Sequence, residues 1–314
     1  MNATNDPSAP SPITPDLARL LDDLTHDGYG VLRSCVANSI CHRVLDEVWD
    51  LLGTRGVQRN TPMSWMQWPE IGVGTGLLTL HELYHLPAVW ELRQVPRIHE
   101  AFAAILGTQS LLVSLDRVGL KRPSIGPVPG QSDWAGRGFM HLDINPWHAP
   151  RERQFQGLVA LSDAAPDDGG FWCLAGMHRE LDQWASTHAA AAVPSTQTMV
   201  DIPMDHTASE RLRHVPLKIG DLLVWDSRLP HGNAPSRSER FRGCVYIRMF
   251  PSASLTADEI KERVDSFLES RPPRRFSTGT LIHSTPTPGA VRRDVRLGVI
   301  GERLLGSRPW PASR

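Results

Sequence analysis

The chain has 314 residues, with 33 Lys and Arg set against 34 Asp and Glu, for a formal net charge of -1. This balance excludes a nucleic-acid binder working through bulk charge, which needs a basic excess to neutralise phosphates, and it excludes a polybasic membrane anchor. No apolar run approaches the roughly 20 residues of a membrane span, and the four cysteines form no CxxC pair, so we expect a reduced, cytoplasmic, globular protein.

Residues 1–14 are rich in Pro, Ser and Asn, lack the basic and apolar regions of a leader peptide, and read as a disordered tail. From Pro15 to about Thr25, the spacing of Leu17, Leu20, Leu21 and Leu24 predicts a helix with one apolar face. Asp27-Gly28-Tyr29-Gly30-Val31-Leu32 predicts a turn into a strand. A second helix, capped by Asn38 or Ser39 and stopped by Gly53, carries Ile40, Val44, Leu45, Val48, Leu51 and Leu52. Residues 54–79 read as irregular, and a third helix spans about Pro96 to Leu106. The texture then changes to strands at 111–115, 139–144, 155–162, 170–174, 215–218, 222–225 and 243–250, with a Pro/Gly-rich loop over 122–138. Helix returns from Ala253 to Leu268. Many short strands after a few helices imply a mainly β fold with flanking helices, a sandwich or barrel under an N-terminal helical cover. One domain is assigned to residues 15–270. Residues 271–314 hold nine arginines against two acids, yet Leu281, Val291, Leu297, Val299, Ile300, Leu304 and Leu305 need burial, so this extension is expected to wrap the domain.

Chemistry concentrates in Gly138-Phe139-Met140-His141-Leu142-Asp143-Ile144. His141 and Asp143 are two apart, so on a strand their side chains share one face. With 13 histidines in the chain, an HxD pair alone carries little weight. The candidate third ligand is His231, which ends the apolar strand begun by Gly220-Asp221. Two histidines and one carboxylate form the facial triad that holds non-haem Fe(II) with open positions. Farther on, Arg242, Cys244, Tyr246 and Arg248 alternate with Val245, Ile247 and Met249. If the apolar set packs against helices, Arg242 points inward, where a guanidinium needs an anion. Only three of the 33 basic residues are lysines, so a lone arginine means little in this chain; Arg240 has the same parity and competes for the role.

Together these features resemble the phytanoyl-CoA dioxygenase family of Fe(II)/2-oxoglutarate-dependent oxygenases. The resemblance rests on His141-x-Asp143, on Ala160-Leu161-Ser162-Asp163 with Asp167-Asp168-Gly169-Gly170-Phe171-Trp172, on Ala175-Gly176-Met177-His178, on His231-Gly232-Asn233, and on Arg242 eleven residues after His231. It implies a double-stranded β-helix, or jelly roll, in which His141, Asp143 and His231 bind iron. Arg242 would take the distal carboxylate of 2-oxoglutarate, and Asn233 would assist the cosubstrate. His178 is read as part of a structural turn. The carboxylate at Asp143 disfavours halogenation, which the family's halogenases perform with a small residue at that position.

The implied reaction uses 2-oxoglutarate and O2 to oxidise, most simply to hydroxylate, a C–H bond of a small molecule, amino-acid-like or a natural-product intermediate. The residues specify no oligomeric state. Candidate substrate residues are Trp65, Trp68, Arg117, Arg122, Trp134 and Trp147, with Met63 and Arg137 near them. Two rival readings are a cupin-like metal enzyme that does not use 2-oxoglutarate, for which Arg242 has no task, and a non-catalytic jelly-roll binding protein.

Overall fold

The computed structural model describes residues 13–148, 153–188, 194, 199–204, 206–273 and 294–311. The expected tail before residue 13, together with Leu281, Val291 and the arginines at 274, 275, 292, 293 and 314, lies outside the described residues.

Helix α1 (Pro15–His26) starts on a proline, whose missing N–H costs nothing in a first turn, and buries Leu17, Leu20 and Leu24. After β1 (Tyr29–Leu32), α2 (Asn38–Gly53) buries Cys41, Val44, Val48, Leu51 and Leu52. Helices α3 (Pro87–Arg93) and α4 (Pro96–Leu106) also begin on prolines, and α4 stops at Gly107 in the left-handed region. The strand-rich part holds β2 (Leu111–Val113), β3 (Val118–Lys121), β4 (His141–Leu142), β5 (Phe155–Ala160) and β6 (Phe171–Leu174). Next come α5 (Leu181–Thr187), β7 (Val200–Asp201), α6 (His206–Arg211), β8 (Leu212–His214), β9 (Leu222–Asp226), β10 (His231–Asn233), β11 (Arg242–Ile247) and β12 (Met249–Pro251). Helix α7 (Ala257–Leu268) opens with a capping box between Thr256 and Glu259, and α8 (Val299–Leu305) follows.

Two antiparallel five-stranded sheets result, in the orders β1-β9-β5-β11-β3 and β7-β4-β10-β6-β8, with β2 and β12 paired separately. This is a jelly roll with helices against the first sheet. Strand alternation divides that sheet's side chains. Val118, Leu120, Val159, Leu222, Val224, Val245 and Ile247 join the buried residues of α1, α2, α3 and α4 in one core. Leu158, Ala160, Leu223, Trp225 and Cys244 face the other way and meet Phe171 and Cys173 of the second sheet. All four cysteines are buried free thiols.

The described part of the C-terminal extension lies on the domain. Trp310 stacks on His99 with ring centroids 4.8 Å apart, and its indole N–H donates to the Leu111 carbonyl at 2.8 Å. Several elements differ from the sequence reading: α3, α5, α6 and β7 are additional, the strand expected over 243–250 divides into β11 and β12, and His231 lies on its own strand, β10, rather than at the end of β9. β4 covers only His141 and Leu142, so Asp143 sits in a bend beyond the strand. The strand expected over 215–218 reduces to a single bridge between Leu217 and Ala164, and the ladder lies upstream in β8. Strand β3 was not anticipated, and it matters most for the site.

Candidate active site

His141 and His231 face each other directly across the pair β4–β10, in register. Their ring centroids are 4.7 Å apart. His141 Nε2 lies 3.5 Å from Asp143 Oδ1, and His231 Nε2 lies 3.4 Å from Asp143 Oδ2. One ligand atom from each of the three residues falls within 4.8 Å of the others. The His231 ring is set by its own chain: Nδ1 donates to the Leu229 carbonyl at 2.9 Å, which turns Nε2 toward Asp143. Gln156 of β5 donates from Nε2 to Asp143 Oδ2 at 2.9 Å and fixes the carboxylate. Burial alone would raise the Asp143 carboxyl, but hydrogen bonds to His141 and His231 outweigh it and hold the group well below the usual carboxylate range. Phe171 and Trp225 wall His231, and Phe139 stacks on His141 at 4.7 Å. Two imidazoles, one ionised carboxylate and an open side fit a divalent iron ion.

A second group of polar side chains lies on the same inner face. Arg242 of β11 is buried and donates from Nη1 to the Asn233 amide oxygen at 3.2 Å and to the Gly169 carbonyl at 3.3 Å. Asn233 stands two residues past His231 on β10, so it joins the metal strand to Arg242. Directly opposite Arg242 in the ladder is Lys121 of β3, also buried. Its ammonium donates to the carbonyls of Ala135 at 2.8 Å and Ala234 at 3.3 Å. Burial, then the charge of Arg242, lowers the Lys121 ammonium to about 8. Gly169 has φ +69°, and a Cβ there would come within 2.8 Å of Lys121 Nζ, so the Asp168-Gly169 turn reaches this site because residue 169 is glycine. Neither cation has a carboxylate among the hydrogen bonds formed by the described residues. Two adjacent buried cations facing an open metal site provide the counter-charge for an organic carboxylate.

The phytanoyl-CoA dioxygenase family matches residues 24–244. The chain belongs to that family. It is a non-haem Fe(II)/2-oxoglutarate-dependent enzyme. A protein of Dictyostelium discoideum named for phytanoyl-CoA dioxygenase is 20% identical over 285 residues, which cover 77% of this chain and 79% of the relative. Ava biosynthesis cluster protein O of Aspergillus versicolor is 24% identical over 213 residues, 63% of this chain and 67% of that protein. Among solved structures, the epimerase SnoN in complex with Fe3+, alpha ketoglutarate and nogalamycin RO superposes with a TM-score of 0.51 at 16% identity, covering 75% of this chain and 84% of that one, which is a likeness of fold.

Within this phytanoyl-CoA dioxygenase fold, the other expected residues separate. Trp65, Trp68, Arg122 and Trp134 gather with Trp49 and Phe241 on the far face of β3. Arg122 adjoins Lys121 and leaves the strand on the opposite side. It pairs with Glu70, donates to the Trp65 carbonyl at 2.6 Å and stacks 4.1 Å from the Trp134 ring. Trp68, Arg122, Glu70, Trp134 and Met66 line a cavity of about 250 Å³ there. Trp147 packs on Trp184 and donates to the Ala185 carbonyl at 2.8 Å. Arg117 precedes β3; its carbonyl accepts from the Tyr246 amide at 3.3 Å, and its guanidinium lies 3.8 Å from the Asp116 carboxylate. Arg240, the competitor of Arg242, is exposed and bound to Asp168. His178 is buried against Gly28 (φ +82°), where a Cβ would sit 2.5 Å from its ring, and it contacts the Thr25 carbonyl. Lys121 and Gln156 were missed. A signal existed for Lys121, one of three lysines in the chain; Gln156 is an amide inside an apolar run and gave none.

Proposed function

We propose that this protein hydroxylates a C–H bond of a small molecule, amino-acid-like or a natural-product intermediate, with 2-oxoglutarate held by Arg242, Lys121 and Asn233 and iron held by His141, Asp143 and His231. The observation that carries the reading is the opposition of Arg242 and Lys121, two buried cations without a carboxylate, on the sheet face that meets the triad. A cupin-like enzyme working without 2-oxoglutarate has no need of that pair. The Aspergillus relative is named for a biosynthesis cluster, which supports a natural-product substrate.

When bound, iron and 2-oxoglutarate supply the oxidising power: decarboxylation of the cosubstrate to succinate and CO2 activates O2 against a C–H bond. The residues of the chain do the rest. The Leu229 carbonyl and Gln156 orient two of the three metal ligands. Arg242 and Lys121 bind the distal carboxylate and thereby set the direction of the cosubstrate, with Asn233 holding the guanidinium in place. Phe171 and Trp225 keep water from the flank of His231. No side-chain base is required. The test is anaerobic addition of Fe(II) and then 2-oxoglutarate to the metal-free protein. A visible charge-transfer band, followed in air by succinate release, is expected; absence of both in the folded protein contradicts the reading.

A further inference from the structure

The inner face of β11 leads to a second guanidinium. Arg248 follows Arg242, Cys244 and Tyr246 at the same parity, one residue past the strand's end. Its backbone is locked to Ser114: its N–H donates to Ser114 Oγ at 2.9 Å, and its carbonyl accepts from the Ser114 amide at 2.7 Å. From the side chain, Nη2 donates to Gln154 Oε1 at 3.0 Å, while Nε is buried without a hydrogen-bond partner. Gln154 precedes β5, and Gln156, two residues on, holds the metal ligand Asp143. Arg248 therefore stands beside the triad at the end of β11 opposite Arg242.

Arg93, Arg263 and Arg122 each also keep one buried nitrogen without a partner, but their other nitrogens meet several carbonyls or a carboxylate. Arg93 is capped by the carbonyls of Tyr84 and Asp116, Arg263 by those of Val113, Leu304 and Leu305, and Arg122 by Glu70. Arg248 has one neutral amide oxygen. The anions whose fields reach it are Asp143 and Asp116. Their side chains keep 36% and 25% exposure, so both border open space. Asp116 is placed by its neighbours: the Arg117 carbonyl accepts from Tyr246, and the Asp116 carbonyl from Arg93. A half-buried guanidinium whose side chain has a single neutral acceptor, at the edge of such a space and beside the triad, has no anion among the described residues hydrogen-bonded to it.

We propose that Arg248 anchors a carboxylate of the primary substrate, so that this enzyme oxidises small carboxylic acids; this rests on the iron and 2-oxoglutarate reading above. A monoanion is favoured over a phosphate because the nearby Asp116 carboxylate repels a dianion more strongly. Arg248 and Arg242 then divide the work at the two ends of one strand, one for substrate and one for cosubstrate.

The test is calorimetry under nitrogen on full-length enzyme saturated with Fe(II) and 2-oxoglutarate, whose visible band first verifies the underlying reading. The probes are acetate, benzoate and indole-3-acetate, each beside its primary amide, with phenyl phosphate as the dianion. At least one acid is expected to bind about tenfold more tightly than its amide and than phenyl phosphate, Arg248→Gln to erase that preference and Arg248→Lys to keep part of it, with 2-oxoglutarate affinity unchanged within about twofold. Acids no tighter than amides, a preference that survives Arg248→Gln, or tightest binding of phenyl phosphate overturns the proposal. A loss of about tenfold or more in 2-oxoglutarate affinity in both folded variants also overturns it, because Arg248 would then serve the cosubstrate. A wild-type enzyme without the band contradicts the iron reading instead.

Discussion

Lys121 and Arg122 are adjacent in sequence and opposite in environment. Arg122 leaves the edge of the first sheet into a pocket of tryptophans where Glu70 matches its charge; the two side chains are 6% and 4% exposed. Lys121 turns into the jelly roll, where carbonyls receive its hydrogens and the strongest neighbouring charge is another cation, Arg242, with Glu70 acting more weakly in the opposite sense. A buried cation with its own carboxylate is finished as a structural element. One without a carboxylate is stable only if a ligand completes it or the fold bears the cost. By this criterion we propose that the aromatic cluster, despite its tryptophans and its cavity, is scaffold and that the less conspicuous lysine belongs to the site.

The largest expected effect tests the scaffold side. Glu70→Ala leaves Arg122 buried and unpaired and should lower unfolding free energy by about 3–5 kcal/mol in denaturant titrations. The folded fraction should keep its 2-oxoglutarate affinity; a marked loss there would move the aromatic cluster into the active site. On the other face, Lys121→Met should weaken 2-oxoglutarate binding by about thirtyfold, ~2 kcal/mol, with little loss of stability.

The titration of Lys121 sharpens the contrast. Its ammonium is charged below about 8 and loses the proton above it, so affinity for 2-oxoglutarate falls as pH rises through that value, and the fall disappears in Lys121→Met. Bound carboxylate favours the charged form and raises the value in the complex, so the fall begins near about 8 and ends at that higher value. Stability of the free protein runs in the opposite direction. Between about 8 and the ordinary lysine range the unfolded chain binds the extra proton, so this residue's contribution rises with pH there.

Smaller effects follow. Gln156→Ala, which frees one oxygen of Asp143, should reduce Fe(II) affinity by about tenfold in a competition titration with a coloured chelator. Arg240→Ala should leave 2-oxoglutarate affinity within about twofold, because its guanidinium is exposed and bound to Asp168.

Much of this was legible in the sequence for identifiable reasons. Helices α1, α2 and α4 announce themselves through apolar spacing and through Pro or Gly at their ends. His141, Asp143 and His231 stand in a recognisable order, and parity separates Arg242 from Val245 and Ile247. Strand β3 was hidden because Gly119 interrupts its apolar run and Lys121-Arg122-Pro123 reads as the start of the following loop. Helix α3 spans seven residues, too few for a periodic pattern. The side on which Trp65, Trp68 and Trp134 lie is decided by Arg122 and Glu70, which are 52 residues apart in sequence, and no local pattern encodes that pairing.

The central claim is that the facing pair Arg242 and Lys121, buried on the inner face of the jelly roll and hydrogen-bonded to no carboxylate among the described residues, marks the cosubstrate. It is tested most directly by the 2-oxoglutarate dissociation constant of Arg242→Ala, measured by anaerobic calorimetry on iron-loaded protein, with Arg240→Ala alongside. The account predicts a loss of about a hundredfold, ~3 kcal/mol, in Arg242→Ala and essentially none in Arg240→Ala. Equal affinities in wild type and a folded Arg242→Ala would contradict it.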